Sequence, residues 1–418
     1  MPAQWNKSKN LKPKVIINQV LESASLLSDG RVSYTGNYFE YKSVLKSMIE
    51  FVRCNLLSPD TLESCFNAAL DNYTKLALTT KNQGEAEFIE QVNEQIKKHL
   101  RHPTIEFHIV TALSISGALP VKKLVIDKAT ITLHPSGIPR KYKSRNEFND
   151  RWSKSFTHTP EHYAGAVVSV RARNYSDAFH TALDALDFVR GVLCFYSVPG
   201  MSISLMGRRT GPINLIRLGG MHTVHKSDGA LATDQYWYEV DERPEKTFTF
   251  STEKQKGLGS SIRKIIKRIN SISGGERIRE GIIRYTRALD EKDSDYAIIK
   301  LWGALESTVN ENDNSDIIIR RCSYLYSDHE LVRQILETSK LYRNRNVHAG
   351  VSSPEADQIC YQIHRIFKSL ILFYVGNKEF KSLKEANTFL DSPLMDGDID
   401  RQIYLLKKAV RFRNSGKP

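Results

Sequence analysis

One short stretch of the chain puts a permanent cation, an amide and an imidazole close together: Lys340-Leu341-Tyr342-Arg343-Asn344-Arg345-Asn346-Val347-His348-Ala349-Gly350. Cleaving RNA at its own 2′-hydroxyl needs a group that takes the hydroxyl proton, a cation against the charge of the phosphorane, and an acid for the leaving 5′-oxygen. Histidine titrates near physiological pH and suits proton transfer. A guanidinium stays charged and grips phosphate oxygens two at a time. On a helix, residues three or four apart share a face; the five-residue offset from Arg343 to His348 therefore lets the two converge if the helix gives way to a loop between them. Asn344 can orient the phosphate or the histidine loop through its amide. Glu306, upstream, can hold Arg343 or fix an imidazole tautomer. One histidine rarely supplies both base and acid, whereas two copies of the motif do, so a two-fold dimer is expected. The plain structural alternative is that Arg343 caps a helix C-terminus, where cations are favoured, that His348 is a loop histidine, and that Glu306 belongs to an ordinary ion pair.

The rest of the sequence sets the context for that motif. The 418 residues are enough for two or three domains. With 40% hydrophobic and 26% charged residues, the composition is that of a globular protein with sizeable cores. A net charge of +13 suits a polyanionic partner, nucleic acid first. The densest basic run, Arg263, Lys264, Lys267 and Arg268, falls on an expected helix and reads either as a phosphate-tracking stripe or as a solvated face. Arg345 reads as a solvated or RNA-facing charge. The five cysteines, Cys54, Cys65, Cys194, Cys322 and Cys360, are odd in number and form no Cys-x-x-Cys, which predicts free thiols in a reducing cytoplasm. Neither a signal peptide at Met1–Lys7 nor a membrane span is expected.

Three other patterns carry less. Lys256-Gly257-Leu258-Gly259-Ser260-Ser261 lacks the Gly-Lys-Ser/Thr of a phosphate loop and reads as a flexible linker. His222-x-x-His225 and His158-x-x-x-His162 have no matched carboxylate or cysteine spacing, so they read as loop histidines and no metal is expected.

Periodicity places these residues on elements. Residues 1–100 read as mostly helical: Val44, Leu45, Met48, Ile49 and Val52 recur at helical spacing, Ser58-Pro59-Asp60 starts a second helix, and a third covers Glu85 to Leu100. Residues 101–255 read as a mixed α+β sensor or regulatory domain, with strands at 104–110, 123–127, 130–133, 166–172, 213–216, 236–240 and 247–250 and a helix from Ser176 to about Phe195. Residues 256–418 return to helices, with apolar faces over 276–289, 295–309, 331–342 and 359–373, which predicts a bundle. The expected fold class is α+β: an N-terminal helical and mixed region followed by a C-terminal α-helical bundle with a tail.

The motif and its surroundings resemble a known family. Arg343-Asn344-x-x-x-His348 is similar to the Arg-x(4–6)-His signature of HEPN domains. Leu301-Trp302-Gly303-Ala304-Leu305-Glu306 resembles the second-helix pattern of the ApeA-like HEPN subgroup. Leu341-Tyr342-Arg343-Asn344, followed by Val347-His348 and Gly350, resembles that subgroup's Tyr, Arg-Asn and His-Gly segment, and Phe380-Lys381-Ser382-Leu383-Lys384-Glu385 looks like its last helix start. The likeness covers residues 255–390; the sequence departs from it at Ala349, between the histidine and the glycine, and in having the tyrosine directly before the arginine. The resemblance implies a cofactor-free ribonuclease that dimerises to form a composite site and leaves 2′,3′-cyclic phosphate and 5′-OH ends. It also implies a bacterial anti-phage or abortive-infection setting, with tRNA or other RNA as target. A phage-derived or nucleotide trigger would then act on the N-terminal region. Two alternatives stand beside it: a non-catalytic module for RNA or nucleotide binding or assembly, and a toxin held inactive by a partner.

Overall fold

The computed structural model describes residues 2–52, 57–80, 84–147, 159–201, 211–240, 244–251, 253, 255–309, 314–349 and 355–414, and of 255, 256, 348 and 349 the backbone alone. The chain is α+β, with a mixed N-terminal region followed by a long run of helices. It divides into two compact units, one made of residues 1–109, 169–183 and 223–236 and the other of 110–168, 184–222 and 237–418. Residues of the expected middle domain are thus distributed over both.

In the first unit, β1 (Ala3–Trp5) and β4 (Ile49–Phe51) pair antiparallel, and β2 (Ala24–Leu26) and β3 (Val32–Tyr34) form a hairpin. Around them lie α1 (Pro13–Glu22), α2 (Tyr38–Ser47), α3 (Pro59–Thr80) and α4 (Glu85–Arg101). The sequence predicts one helix through Val52, but α2 stops at Ser47. Ile49–Phe51 finds a strand partner more than forty residues upstream, Trp5 opposite Ile49 and Ala3 opposite Phe51. Leu45 and Ile49 are still buried in one core with Phe66, Tyr73 and Phe88, so the apolar spacing is satisfied by two kinds of element. Asn93 of α4 fixes β1 from the side, accepting from Ala3 N at 2.9 Å and donating to Ala3 O at 3.0 Å. The expected start of α3 is present: Ser58 Oγ accepts from Thr61 N at 3.0 Å, the bond of an N-cap.

A six-stranded sheet has the order β10-β9-β5-β8-β7-β6. Its strands are β5 (Ile105–Leu113), β6 (Lys123–Ile126), β7 (Ala129–His134), β8 (Ala164–Ala172), β9 (Met221–Lys226) and β10 (Leu231–Tyr238). The expected strand at 213–216 is irregular chain instead, pinned by Asn214, whose Oδ1 accepts from Ile216 N at 2.9 Å. That at 247–250 is reduced to a single bridge between Phe248 and Ile115.

Among its described residues the second unit contains the C-terminal part of α5 (Tyr175–Ser197), a short 3-10 helix at Arg140–Arg145 and eight further α-helices: α6 (Gln255–Ser271), α7 (Gly275–Leu289), α8 (Ser294–Val309), α9 (Ser315–Ser323), α10 (His329–Ala349), α11 (Ala356–Gly376), α12 (Leu383–Leu390) and α13 (Asp396–Asn414). The Gly257–Ser261 segment lies in the first two turns of α6 rather than in a flexible linker. Gly259 comes so close to the Pro120 carbonyl that a Cβ would overlap it, so the glycine serves packing. Gly281 does the same for α7 against Thr308 of α8. Tyr285 of α7 stacks on Phe367 of α11 with ring centres 4.7 Å apart, and Trp302 of α8 is fully buried. Arg190 is buried yet neutralised by Asp187 at 2.7 Å and by both oxygens of Asp290 at 2.7 and 2.9 Å, the paired state a buried charge requires. Ser382 caps α12 by accepting from Glu385 N at 3.1 Å, so the expected last helix start is there. Among the described residues no helix is long and apolar enough to cross a membrane, and four cysteines, Cys65, Cys194, Cys322 and Cys360, are buried free thiols. Cys54 lies outside the described residues.

Candidate functional site

Helix α10 is held to α8 by two neighbouring side chains. The Tyr342 hydroxyl donates to Asp295 Oδ1 at 2.9 Å, near the start of α8. Arg343 reaches the other way, its Nη2 lying 3.7 Å from Glu306 Oε1. Asp295 and Glu306 are eleven residues apart, roughly 16 Å along a helix. Adjacent residues of α10 therefore grip α8 at widely separated points, which fixes the position of the Arg343 backbone.

Glu306 is oriented from within its own helix. Trp302, one turn earlier, donates its indole N–H to Glu306 Oε1 at 2.9 Å, the four-residue spacing that lets helix side chains meet. Arg343 is held more loosely. Its Nη1 donates to Asn344 Oδ1 at a long 3.4 Å, its Nε is buried without a hydrogen-bond partner among the described residues, and 32% of its side chain is exposed. The guanidinium is thus aimed by one carboxylate at long range and keeps donors to spare for an anion that approaches from solvent. Asn344 is half-buried and Arg345 exposed.

The expected loop between Arg343 and His348 is not present. Helix α10 runs unbroken to Ala349, and at 100° per residue a five-residue offset turns about 140° round the axis. Asn346 and Val347 share the face of Arg343; the backbone of His348 is turned away from it. The side chain of His348 and all of Gly350 lie outside the described residues. The helix persists because the segment contains no residue that stops one before Gly350, and Ala349 is the strongest of helix formers.

The basic run divides. Arg263, Lys264 and Lys267 are exposed on α6 at spacings of three and four, and Arg263 and Lys267 flank a shallow groove of about 460 Å³ with Lys123 and Val125. Arg268 is not available as an RNA contact: its Nη2 donates to the carbonyls of Asn377, at 3.0 Å, and Phe380. It ties down the chain as it leaves α11, bonding the C-cap carbonyl of Asn377 and the loop carbonyl of Phe380.

The other histidines also find structural work. His222 and His225 stand on β9, not in a loop, and their odd offset puts them on opposite faces of the strand. His222 shares hydrogen bonds with Thr111 Oγ1 at 2.7 Å and Glu239 Oε1 at 3.2 Å, and His225 with Thr223 Oγ1 and Gly229 O, both at 2.9 Å. His162 bonds to the Glu245 carbonyl, and His158 lies outside the described residues. No group of three or more metal-ligating side chains occurs among the described residues. The periodicity of α8 contained one participant that the motif alone does not indicate: Trp302, an i−4 donor to Glu306. Asp295, the anchor of Tyr342, carries no such signal, since its partner is 47 residues away.

Comparison of the chain with family models, curated proteins and solved structures finds no match.

Proposed function

We propose that α8 and α10 carry the site of an RNA endonuclease of HEPN type, with Arg343 as the phosphate-binding cation and His348 as the proton-transfer group. The observation that supports this most is the state of Arg343: aimed by Glu306, anchored through its neighbour Tyr342, partly exposed to solvent, and with no partner for its buried Nε among the described residues. Such a guanidinium binds a phosphate with little reorganisation, since the carboxylate that holds it sits at 3.7 Å and gives up little when an anion arrives.

In the reaction, the 2′-oxygen attacks phosphorus as its proton passes to a base, the bond from phosphorus to the 5′-oxygen breaks, and an acid protonates that oxygen. The products are a 2′,3′-cyclic phosphate and a 5′-OH. Arg343 bears the charge of the phosphorane, Asn344 orients the phosphate, and Glu306 positions Arg343. The unbroken α10 sends Arg343 and the backbone of His348 to different sides of one helix, which favours a site shared between two chains. A second copy, supplying His348 to the Arg343 of the first, completes the set. Exposed Arg263, Lys264 and Lys267 are suited to tracking the RNA backbone. The reading extends to a defence or abortive-infection effector acting on tRNA or other RNA and triggered through the N-terminal region.

The same unbroken helix also favours a second reading, a non-catalytic RNA-binding or assembly module in which Arg343 only binds. The two separate on total RNA incubated with the full chain in EDTA. Cleavage that vanishes in both Arg343→Ala and His348→Ala, with the oligomeric mass unchanged, supports the nuclease. RNA retention without cleavage, lost in Arg343→Ala and kept in His348→Ala, supports the binding module.

A further inference from the structure

Helix α13 runs nineteen residues, and none of them is buried. A helix of that length without packing is marginal in water, and this one is not polar. Ile399, Ile403, Leu406 and Val410 follow one another at offsets of four, three and four, the rhythm of a coiled-coil seam. Ile403, Leu406 and Val410 are 44%, 61% and 59% exposed. Apart from Arg401, the charges of α13 are sorted along its axis: Asp396, Asp398 and Asp400 stand at the start, and Lys407, Lys408, Arg411 and Arg413 at the end.

We propose that α13 pairs antiparallel with α13 of a second copy of this chain, about a two-fold axis that crosses the helix between Tyr404 and Leu405. Centred there, Ile399 of each copy meets Val410 of the other, and Ile403 meets Leu406. These are the a-to-d layers of an antiparallel coiled coil. The same centre sets Asp396 against Arg413 in a layer of the seam and brings Asp400 beside Lys407 on its flank, each contact occurring twice. The seam does not require the charges to share its centre, yet they do; that coincidence identifies the occupant as the same helix in reverse. A parallel pair would stack Asp396 on Asp396 and Arg413 on Arg413 in the seam, a like-charge arrangement that disfavours it. An acidic first turn likewise argues against seating the whole helix on an anionic surface, lipid or RNA. The pairing depends on neither Arg343 nor RNA: a monomer would also remove the second copy that the cleavage reading needs, whereas a dimer that Leu406→Glu leaves intact counts against the pairing alone.

The test is the mass of the full chain by sedimentation equilibrium over a concentration series, with circular dichroism to show each variant folded. The wild type forms a dimer, and Leu406→Glu, which puts two carboxylates into the seam, raises the dissociation constant by about a hundred-fold or more. Asp400→Lys and Lys407→Asp each create a like-charge contact twice and weaken the dimer by about tenfold. The double variant Asp400→Lys/Lys407→Asp recovers most of the loss, because each swapped charge again meets its opposite. A wild type that is monomeric throughout overturns the proposal, including one that binds only vesicles with anionic headgroups. So do a dimer that Leu406→Glu leaves intact and a double variant no better than the single ones.

Discussion

Glu306 serves two partners, and substitution separates them. Its Oε1 accepts the Trp302 indole N–H at 2.9 Å and lies 3.7 Å from Arg343 Nη2. For the fold, the indole bond is worth more. Trp302 is fully buried, and stranding a buried donor costs about 1–3 kcal/mol. The ion pair joins side chains 32% and 28% exposed, which places it with solvent-screened pairs worth about 0.2–1 kcal/mol. Glu306→Gln keeps an oxygen for Trp302 and removes the charge, so it should cost under about 1 kcal/mol. Glu306→Ala removes both and should cost about 1–3 kcal/mol. Urea unfolding of the two variants, of Arg343→Ala and of Glu306→Gln/Arg343→Ala gives both costs and the coupling of the pair. If Glu306→Gln is as damaging as Glu306→Ala, or if the coupling exceeds about 2 kcal/mol, then Arg343 is locked into a structural pair and is not free to take a phosphate.

Two further outcomes follow from the packing of the second unit. Tyr285 and the buried His364 share a 2.6 Å hydrogen bond, and burial, helped by the charge of Lys368, pushes the His364 pKa from 6.5 down to about 4. The unfolded imidazole gains a proton below pH 6.5 and the folded one only near pH 4. Its contribution is therefore present in full above pH 6.5 and lost as the pH falls towards 4, by up to about 3 kcal/mol. Urea unfolding between pH 7 and pH 4 (about the range set by the two pKa values) should show a shallower loss for His364→Phe than for the wild type, and equal slopes would refute the assignment. Gly281→Ala pushes a methyl group into the Thr308 hydroxyl and should cost about 1–3 kcal/mol. Adding Thr308→Ala should recover part of that loss in a thermal melt, and no recovery would mean that the glycine serves the helix backbone rather than the contact.

Local patterns in the sequence were enough to locate most helices of the second unit. The apolar faces of 276–289, 295–309, 331–342 and 359–373 lie within α7, α8, α10 and α11, because each buries a stripe at helical spacing. What escaped the sequence depended on distant partners. Ile49–Phe51 became a strand because β1 lay alongside, and residues 231–235, polar and unlike a buried strand, were drawn into β10 beside β9. Gly257–Ser261 looked like a linker because glycines weaken helices, but Gly259 is needed where α6 meets the Pro120 carbonyl. At the site, Glu306 and Arg343 could be paired from the sequence by charge and by helix position. The long reach of Tyr342 to Asp295 could not, and neither could the tethering role of Arg268, since both are contacts between segments far apart in the chain. The extension of α10 through His348 was legible in principle from the helix-forming Ala349, but the chemistry of the motif favoured a loop.

The most direct measurement is the sequencing of RNA ends from cells expressing the wild type or His348→Ala, with chemistry that distinguishes 2′,3′-cyclic phosphates from 3′-hydroxyls. The account predicts new 2′,3′-cyclic phosphate and 5′-OH ends with the wild type and none above background with His348→Ala at equal protein levels. New ends that persist in His348→Ala, or that carry 3′-hydroxyl and 5′-phosphate groups, would contradict it.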